Sequence, residues 1–237
     1  MTAPEAPGGP QTRGAPGPRG GTGALEALYP FLYAGAGDLE AVMAEVRQST
    51  IAKTHEITQL RRQVCAADAG RLRACAAAMA DRFAAGGRLL AFGNGGSSTD
   101  AQELAALFVN PDGEARPLPA FGLTNDSAVV TALCNDISVD VMFSRQIAAF
   151  GRHQDIAIAL STSGNSENLL RGLAEAGRRG MLTAGIAGYE GGKMAELSGL
   201  DYLFVAPSAS VHRIQEAQTT IYHALWELTL MALTEGG

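Results

Sequence analysis

The residues able to do chemistry are concentrated in a few short segments. Ser161-Thr162-Ser163-Gly164-Asn165-Ser166 places four hydroxyls and a run of backbone N–H groups after the apolar stretch 156–160 and ahead of a helical pattern. A helix start offers unpaired N–H groups and the positive end of its dipole, so hydroxyls and amides there can wrap a phosphate without a lysine. One serine would serve as a cap. Three in six residues favour phosphate binding. Phe92-Gly93-Asn94-Gly95-Gly96-Ser97-Ser98-Thr99-Asp100 repeats the order of apolar stretch, glycine turn and helix start earlier in the chain. Its glycines let the backbone approach a ligand closely. Its hydroxyls at Ser97, Ser98 and Thr99 suit a phosphate and a helix cap equally.

Two further groups carry chemistry that is less specific. Asn135-Asp136 ends a short helical pattern. The asparagine can simply close the helix, or the pair can bond sugar hydroxyls. Gln215 and His223 are eight residues apart in the last helical stretch, so they share a face two turns apart. A lone helical histidine is more often structural than catalytic, and the same reading covers His55, His153 and His212.

The elements that must position these residues follow from periodicity. Apolar strands are expected at 89–92, 120–123, 156–160, 182–187 and 202–205, with helices at about 98–109, 127–134, 140–150, 167–179, 194–197 and 211–233. Strands apolar on both faces, alternating with helices, imply an α/β fold: a doubly wound, mostly parallel five-stranded sheet with helices on both faces. Two helices are expected before it. One starts at an Asp38 cap and carries Leu39, Val42, Val46, Ile57, Leu60 and Val64. The other covers about 67–85 and carries Leu72, Cys75, Met79 and Phe83. Residues 1–24 hold five of the ten prolines and seven of the 29 glycines, and they read as a disordered tail. Residues 25–237 read as one domain.

Composition narrows the function. A net charge of −6 argues against a nucleic-acid surface. No apolar run approaches the roughly 20 residues of a membrane span. No signal-like apolar core opens the chain. Cys65, Cys75 and Cys134 lack metal-type spacing and read as reduced thiols in the cytoplasm.

Taken together, four ordered motifs give a resemblance. They are Gly93-Asn94-Gly95-Gly96-Ser97 with Asp100-Ala101-Gln102, Thr131-Ala132 with Asn135-Asp136, the Ser161–Ser166 loop, and Arg213-Ile214-Gln215-Glu216. Over residues 39–233 the chain resembles the phosphoheptose isomerases of the sugar-isomerase (SIS) superfamily. The resemblance implies a homotetramer with active sites at subunit interfaces. The implied reaction converts sedoheptulose 7-phosphate to a heptose 7-phosphate aldose, with no nucleotide cofactor. By the same resemblance, Asn94, Gly95 and Gly96 line the sugar site, and Asn135 and Asp136 contact the substrate. Ser161, Thr162, Ser163 and Ser166 hold the phosphate. Gln215 and His223 sit at the reacting carbons and can ligate zinc, which makes His223 an expected acid/base.

The departures from the family pattern are equally specific. After Asp-Ala-Gln the family carries a histidine, a metal ligand, and four residues later a glutamate, the base. Here those positions hold Glu103 and Leu107, and Pro111 replaces an expected arginine. Glu103 lies one turn before the missing base on the same side of the helix. It is therefore expected to act as base or as a metal ligand with Gln215 and His223. The alternative is a non-catalytic SIS protein, like the one that associates with the bacterial replication initiator, which keeps the phosphate loops and acts through protein contacts.

Overall fold

The computed structural model describes residues 39–111, 113 and 115–235. The expected tail and the Asp38 cap lie outside the described residues. Contacts cluster into two units, Met1–Ala52 and Lys53–Gly237. In the first unit the described residues, 39–52, are helical throughout.

Helix α1 spans Leu39–Ala84 without a break, where two helices were expected. The junction, Cys65-Ala66-Ala67-Asp68-Ala69-Gly70, contains no proline and three alanines, the strongest helix formers. Gly70 faces open space, so nothing there forces a bend. Leu60, Val64, Leu72, Cys75, Met79 and Phe83 form one buried stripe at helical spacing along the second unit's part of α1.

The remaining elements alternate as expected. They are β1 (Leu89–Gly93), α2 (Gly96–Val109), β2 (Ala120–Gly122), α3 (Ser127–Asp136), α4 (Met142–Phe150), β3 (Ile156–Leu160), α5 (Glu167–Arg178), β4 (Leu182–Gly188), β5 (Tyr202–Ala206) and α6 (Val211–Glu235). Short 3-10 turns at Val139–Val141 and Gly192–Glu196 replace a helix start and a helix of the expected pattern. The sheet order is β2-β1-β3-β4-β5 and every pairing is parallel.

Successive strand residues point to opposite faces, and both faces are covered. Leu89, Ala91, Ile156, Ile158 and Ile186 belong to a core shared with α1, α2 and α6. Leu90, Phe92, Ala157 and Ala159 belong to a second core shared with α4 and α5. Burying each large apolar side chain contributes roughly 1.5–3 kcal/mol, which accounts for the uniformly apolar β1 and β3.

The amino ends of β1 and β3 are locked together by a buried charge. The Asp155 side chain is fully buried and accepts from the backbone N–H groups of Arg88 (2.9 Å) and Arg152 (3.1 Å) and from Arg88 Nη2 (2.7 Å). Removing one partner of a buried pair strands the other. Asp155→Ala is expected to lower stability by about 3 kcal/mol, read as a lower urea midpoint. Because the lock lies at the sheet edge opposite the loops described next, the activity of the folded variant should be unchanged.

Candidate functional site

Parallel strands put the starts of the following helices at one edge of the sheet. In the β1–β3 register, Gly93 faces Leu160. The glycine turn and the hydroxyl loop therefore leave the sheet side by side.

The hydroxyl loop is held by its own backbone. Ser161 N donates to Ile186 O (3.0 Å), Gly188 N to Thr162 O (3.0 Å), and Met194 N to Gly164 O (2.9 Å). Ser161 Oγ accepts from Gly164 N at 3.0 Å, and Ser163 Oγ accepts from Asn165 N at 3.2 Å. Gly164 has φ +66°, and a Cβ there would collide with the Gly191 carbonyl, so glycine is required. Ser166 is the N-cap residue of α5, yet its side chain makes no capping bond. The first N–H groups of α5 are thus left uncapped by that hydroxyl, as an anion-binding helix start requires. Asn165 Oδ1 accepts from Lys193 N at 2.9 Å, so the loop is also fixed to the segment after β4.

Two hydroxyls of the glycine turn are spent internally. Ser98 Oγ lies 2.5 Å from Thr124 Oγ1, and Thr99 Oγ1 donates to Gly96 O. Asn94, expected to line the sugar site, pairs with Asn168 through two amide bonds of 2.9 and 3.0 Å. Any side chain at Gly96 would strike the Gln215 amide. Gly96 therefore lets α6 close over the start of α2.

Helix α6 also brings two of the expected residues, His223 and Glu103, together. Gln215 meets the Gly96 turn, and His223 Nε2 lies 3.5 Å from Glu103 Oε1. Tyr222, buried, donates its hydroxyl to Glu103 Oε2 at 2.8 Å. Burial and the Glu103 carboxylate push the Tyr222 hydroxyl well above the ordinary tyrosine pKa, so it stays a donor. The His223 ring stacks on Tyr222 with centroids 5.2 Å apart and meets Trp226 edge-on at 6.2 Å. The Glu103 side chain remains 53% exposed, open to a ligand. Leu107 packs at the margin of the core and supplies no polar group.

Asn135 and Asp136 are placed differently. They end α3, are exposed, and bond to each other at 2.8 Å. Among the described residues, no group of three or more His, Cys, Asp or Glu side chains could hold a metal ion.

Three polar residues at the site were not expected from sequence. Asn168 and Gln218 lie on otherwise apolar helix stripes, and that misplaced polarity was the available signal. Gln218 Nε2 donates to Ser161 O (2.8 Å) and Ile186 O (3.2 Å), tying α6 to the strand ends beneath the hydroxyl loop. Tyr222 reads as core by its type, and only its partner reveals its part.

The arrangement is that of a SIS domain: a parallel α/β sheet with two strand–turn–helix cradles at one edge, closed by the last helix. The SIS domain family model matches residues 54–188. The phosphoheptose isomerase of Nitratidesulfovibrio vulgaris is 42% identical over 186 residues, covering 78% of this chain and 88% of the relative. That of Aquifex aeolicus is 46% identical over 144 residues, covering 60% of this chain and 74% of the relative. The structure of a phosphoheptose isomerase from Neisseria gonorrhoeae superposes with a TM-score of 0.69 at 33% identity, covering 77% of this chain and 97% of that one. The structure of a phosphoheptose isomerase from Francisella tularensis superposes with a TM-score of 0.68 at 31% identity, covering 77% of this chain and 98% of that one. The chain belongs to the phosphoheptose isomerase family of SIS-domain proteins.

One carboxylate near the site has no partner. Asp100 Oδ2 is buried without a hydrogen bond. Burial, reinforced by the charge of Glu103, pushes the Asp100 pKa up to about 6 from an ordinary 3.8. The folded chain thus holds a proton that the unfolded chain has already lost between those values. Stability contributed by this group is present below about pH 4 and is lost as pH rises through about 6. Asp100→Asn should therefore gain melting temperature relative to the parent as pH goes from 4 to 7. Parallel melting curves across that range would contradict the buried, unpartnered placement.

Proposed function

We propose that this chain is an aldose–ketose isomerase that converts sedoheptulose 7-phosphate to the heptose 7-phosphate aldose by moving a proton between C1 and C2. The observation that carries this reading is the contact of Glu103 with His223 and Tyr222, on the helix that the glycine turn launches and the helix that is bonded to the hydroxyl loop through Gln218. Relatives and structural neighbours named phosphoheptose isomerase support the reaction over an interaction role.

The phosphate binds Ser161, Thr162, Ser163 and Ser166 at the start of α5. Asn94, Gly95 and Gly96 form the sugar-side wall. Asn135 and Asp136 reach substrate hydroxyls from the exposed end of α3. Glu103 is the base. It takes the C1 proton, and the C1–H electrons form the C1=C2 bond of an enediol. His223 supplies the proton that the C2 oxygen gains. Return of a proton to C2, with loss of the O1 proton, leaves the aldehyde, so the step is balanced without an oxidant. The Tyr222 hydroxyl orients Glu103 by holding Oε2, which leaves Oε1 turned toward His223.

Zinc is the ion the family resemblance implies. A zinc site draws three or four ligands from His, Cys, Asp and Glu. Glu103 and His223 supply two such donors, and Gln215 adds only a neutral amide. This set falls short of a zinc site, so every step above runs through protein groups. The same reading includes a homotetramer. It is supported by α3, whose side chains are at most partly buried within the chain, and by the exposed apolar residues Ile137, Val139 and Phe150 around it.

Glu103→Gln keeps the shape and removes the base. It should lower kcat on sedoheptulose 7-phosphate by about 10²–10⁴-fold with little change in KM. A Gln variant with full kcat would remove Glu103 from the reaction. Treating the parent enzyme with EDTA and then restoring zinc should change kcat/KM by less than about threefold. A zinc-dependent loss and recovery would instead bring metal into the step.

A further inference from the structure

The two cradles are joined by a reciprocal pair of side-chain hydrogen bonds. Asn168 lies in the first turn of α5, two residues after Ser166, and is 5% exposed. Asn94 lies in the turn between β1 and α2 and is exposed. The two side-chain amides bond reciprocally. Asn94 Nδ2 donates to Asn168 Oδ1 at 2.9 Å, and Asn168 Nδ2 donates to Asn94 Oδ1 at 3.0 Å. Each amide uses one of two N–H donors and one acceptor position. Asn94 therefore keeps an N–H and an acceptor position for a ligand while its orientation is fixed.

The clasp closes across adjacent strands. Gly93 and Leu160 are register partners at the ends of β1 and β3, and one loop follows each of them. On one side of the clasp is the hydroxyl loop. On the other is the turn that meets Gln215 through Gly96 and launches the helix bearing Glu103. A ketose phosphate held at both ends must span the distance between these two positions. We infer that Asn168 is a positioning residue whose clasp on Asn94 fixes that span and so selects the chain length of the sugar phosphate. The inference rests on the isomerase reading above.

The two amides make this role separable from simple support. The hydroxyl loop has its own bonds to β4, to Met194 and to Gln218. Breaking the clasp should thus leave phosphate binding intact and disturb only the distance from phosphate to reacting carbon. Misplacing reacting atoms by a fraction of an ångström to an ångström costs rate rather than ground-state binding.

The test compares the parent with Asn168→Asp and Asn168→Leu on sedoheptulose 7-phosphate and on fructose 6-phosphate, a ketose phosphate one carbon shorter. Inorganic phosphate serves as a competitive inhibitor. The leucine variant loses both bonds. It should lower kcat on the longer sugar by about 30-fold and reduce the preference for that sugar over the shorter one by at least about tenfold. The inhibition constant for phosphate should stay within about threefold. The aspartate variant is isosteric and keeps one of the two bonds, so it should fall between parent and leucine. It also reads the effect should the leucine variant fail to fold. Asn94→Leu combined with Asn168→Leu should be no worse than Asn94→Leu alone, because that single change already removes the clasp together with Asn94's own contact to the sugar.

An unchanged sugar preference, or a phosphate constant that rises in step with the loss of kcat/KM, would overturn the inference and leave Asn168 as support for the loop. If the parent turned over neither sugar, the isomerase reading would fall by itself. The clasp would then be judged by equilibrium binding. Asn168→Leu must lower the affinity ratio of sedoheptulose 7-phosphate to inorganic phosphate, and an unchanged ratio would sink it.

Discussion

The pairing of β1 with β3 governs the site. Both strands are fully buried, and their register brings Gly93 level with Leu160. In a parallel sheet every strand ends at the same edge, so two strand–turn–helix units in neighbouring positions must open their helix starts side by side. The Arg88–Asp155 lock at the other edge fixes this register where the strands begin. A slip by one residue would turn Leu89 and Ile156 from one core to the other. The chemistry at the far edge therefore depends on apolar packing and on a buried charge that touches no ligand.

Helix α6 completes what the sheet begins. Its buried stripe of Ile214, Ala217, Ile221 and Leu225 packs on the sheet face that also carries α1 and α2. Polar residues on the margin of that stripe are thereby set at fixed heights above the strand ends. Gln218 reaches the carbonyls of Ser161 and Ile186, Tyr222 reaches Glu103, and Gln215 covers Gly96. One helix thus contacts both cradles, and its apolar burial supplies the free energy that holds its polar groups in place. A buried polar group without a partner costs about 1–3 kcal/mol. The bonds of Gln218 Nε2 and of the Tyr222 hydroxyl avoid part of that cost and specify how α6 seats, while Gln218 Oε1 stays buried without a partner.

The sheet was legible in the sequence because its signal is local. Runs such as Ile156-Ala157-Ile158-Ala159-Leu160 between turn residues announce a buried strand, and the helices between them follow from spacing three and four. The break expected within α1 failed because alanines carry the helix through a stretch with weak apolar periodicity. The glycine turn and the hydroxyl loop were legible from residue types, and the placement of Gln215 and His223 on one helix from their spacing. The working partners were not. Asn94 and Asn168 are 74 residues apart, Ser161 and Gln218 are 57 apart, and Glu103 and Tyr222 are 119 apart. No local pattern encodes such pairings. Asn168 and Gln218 show in the sequence only as polar residues where the helical period calls for apolar ones. Tyr222 shows nothing unusual, because a tyrosine in a core needs no partner to be expected there.

The replacement of the family base position by Leu107 becomes intelligible from this geometry. One helical turn is about 5.4 Å, so a carboxylate at 103 lies that much nearer the glycine turn than one at 107 would. Position 107 packs against the apolar core, while position 103 looks out beside His223. On the proposed reading, a base at 103 would meet its carbon closer to the strand ends, where the neighbouring loop would hold the phosphate. On that reading such a shift would shorten the working span of the pocket at its reacting end. It makes the spacing between the two cradles more consequential, since less of α2 is left to take up an error. The Tyr222 hydroxyl then has a clear purpose. It holds one oxygen of a half-exposed carboxylate that would otherwise sample many rotamers, and it restores at position 103 the definition that deeper burial would have provided further along the helix.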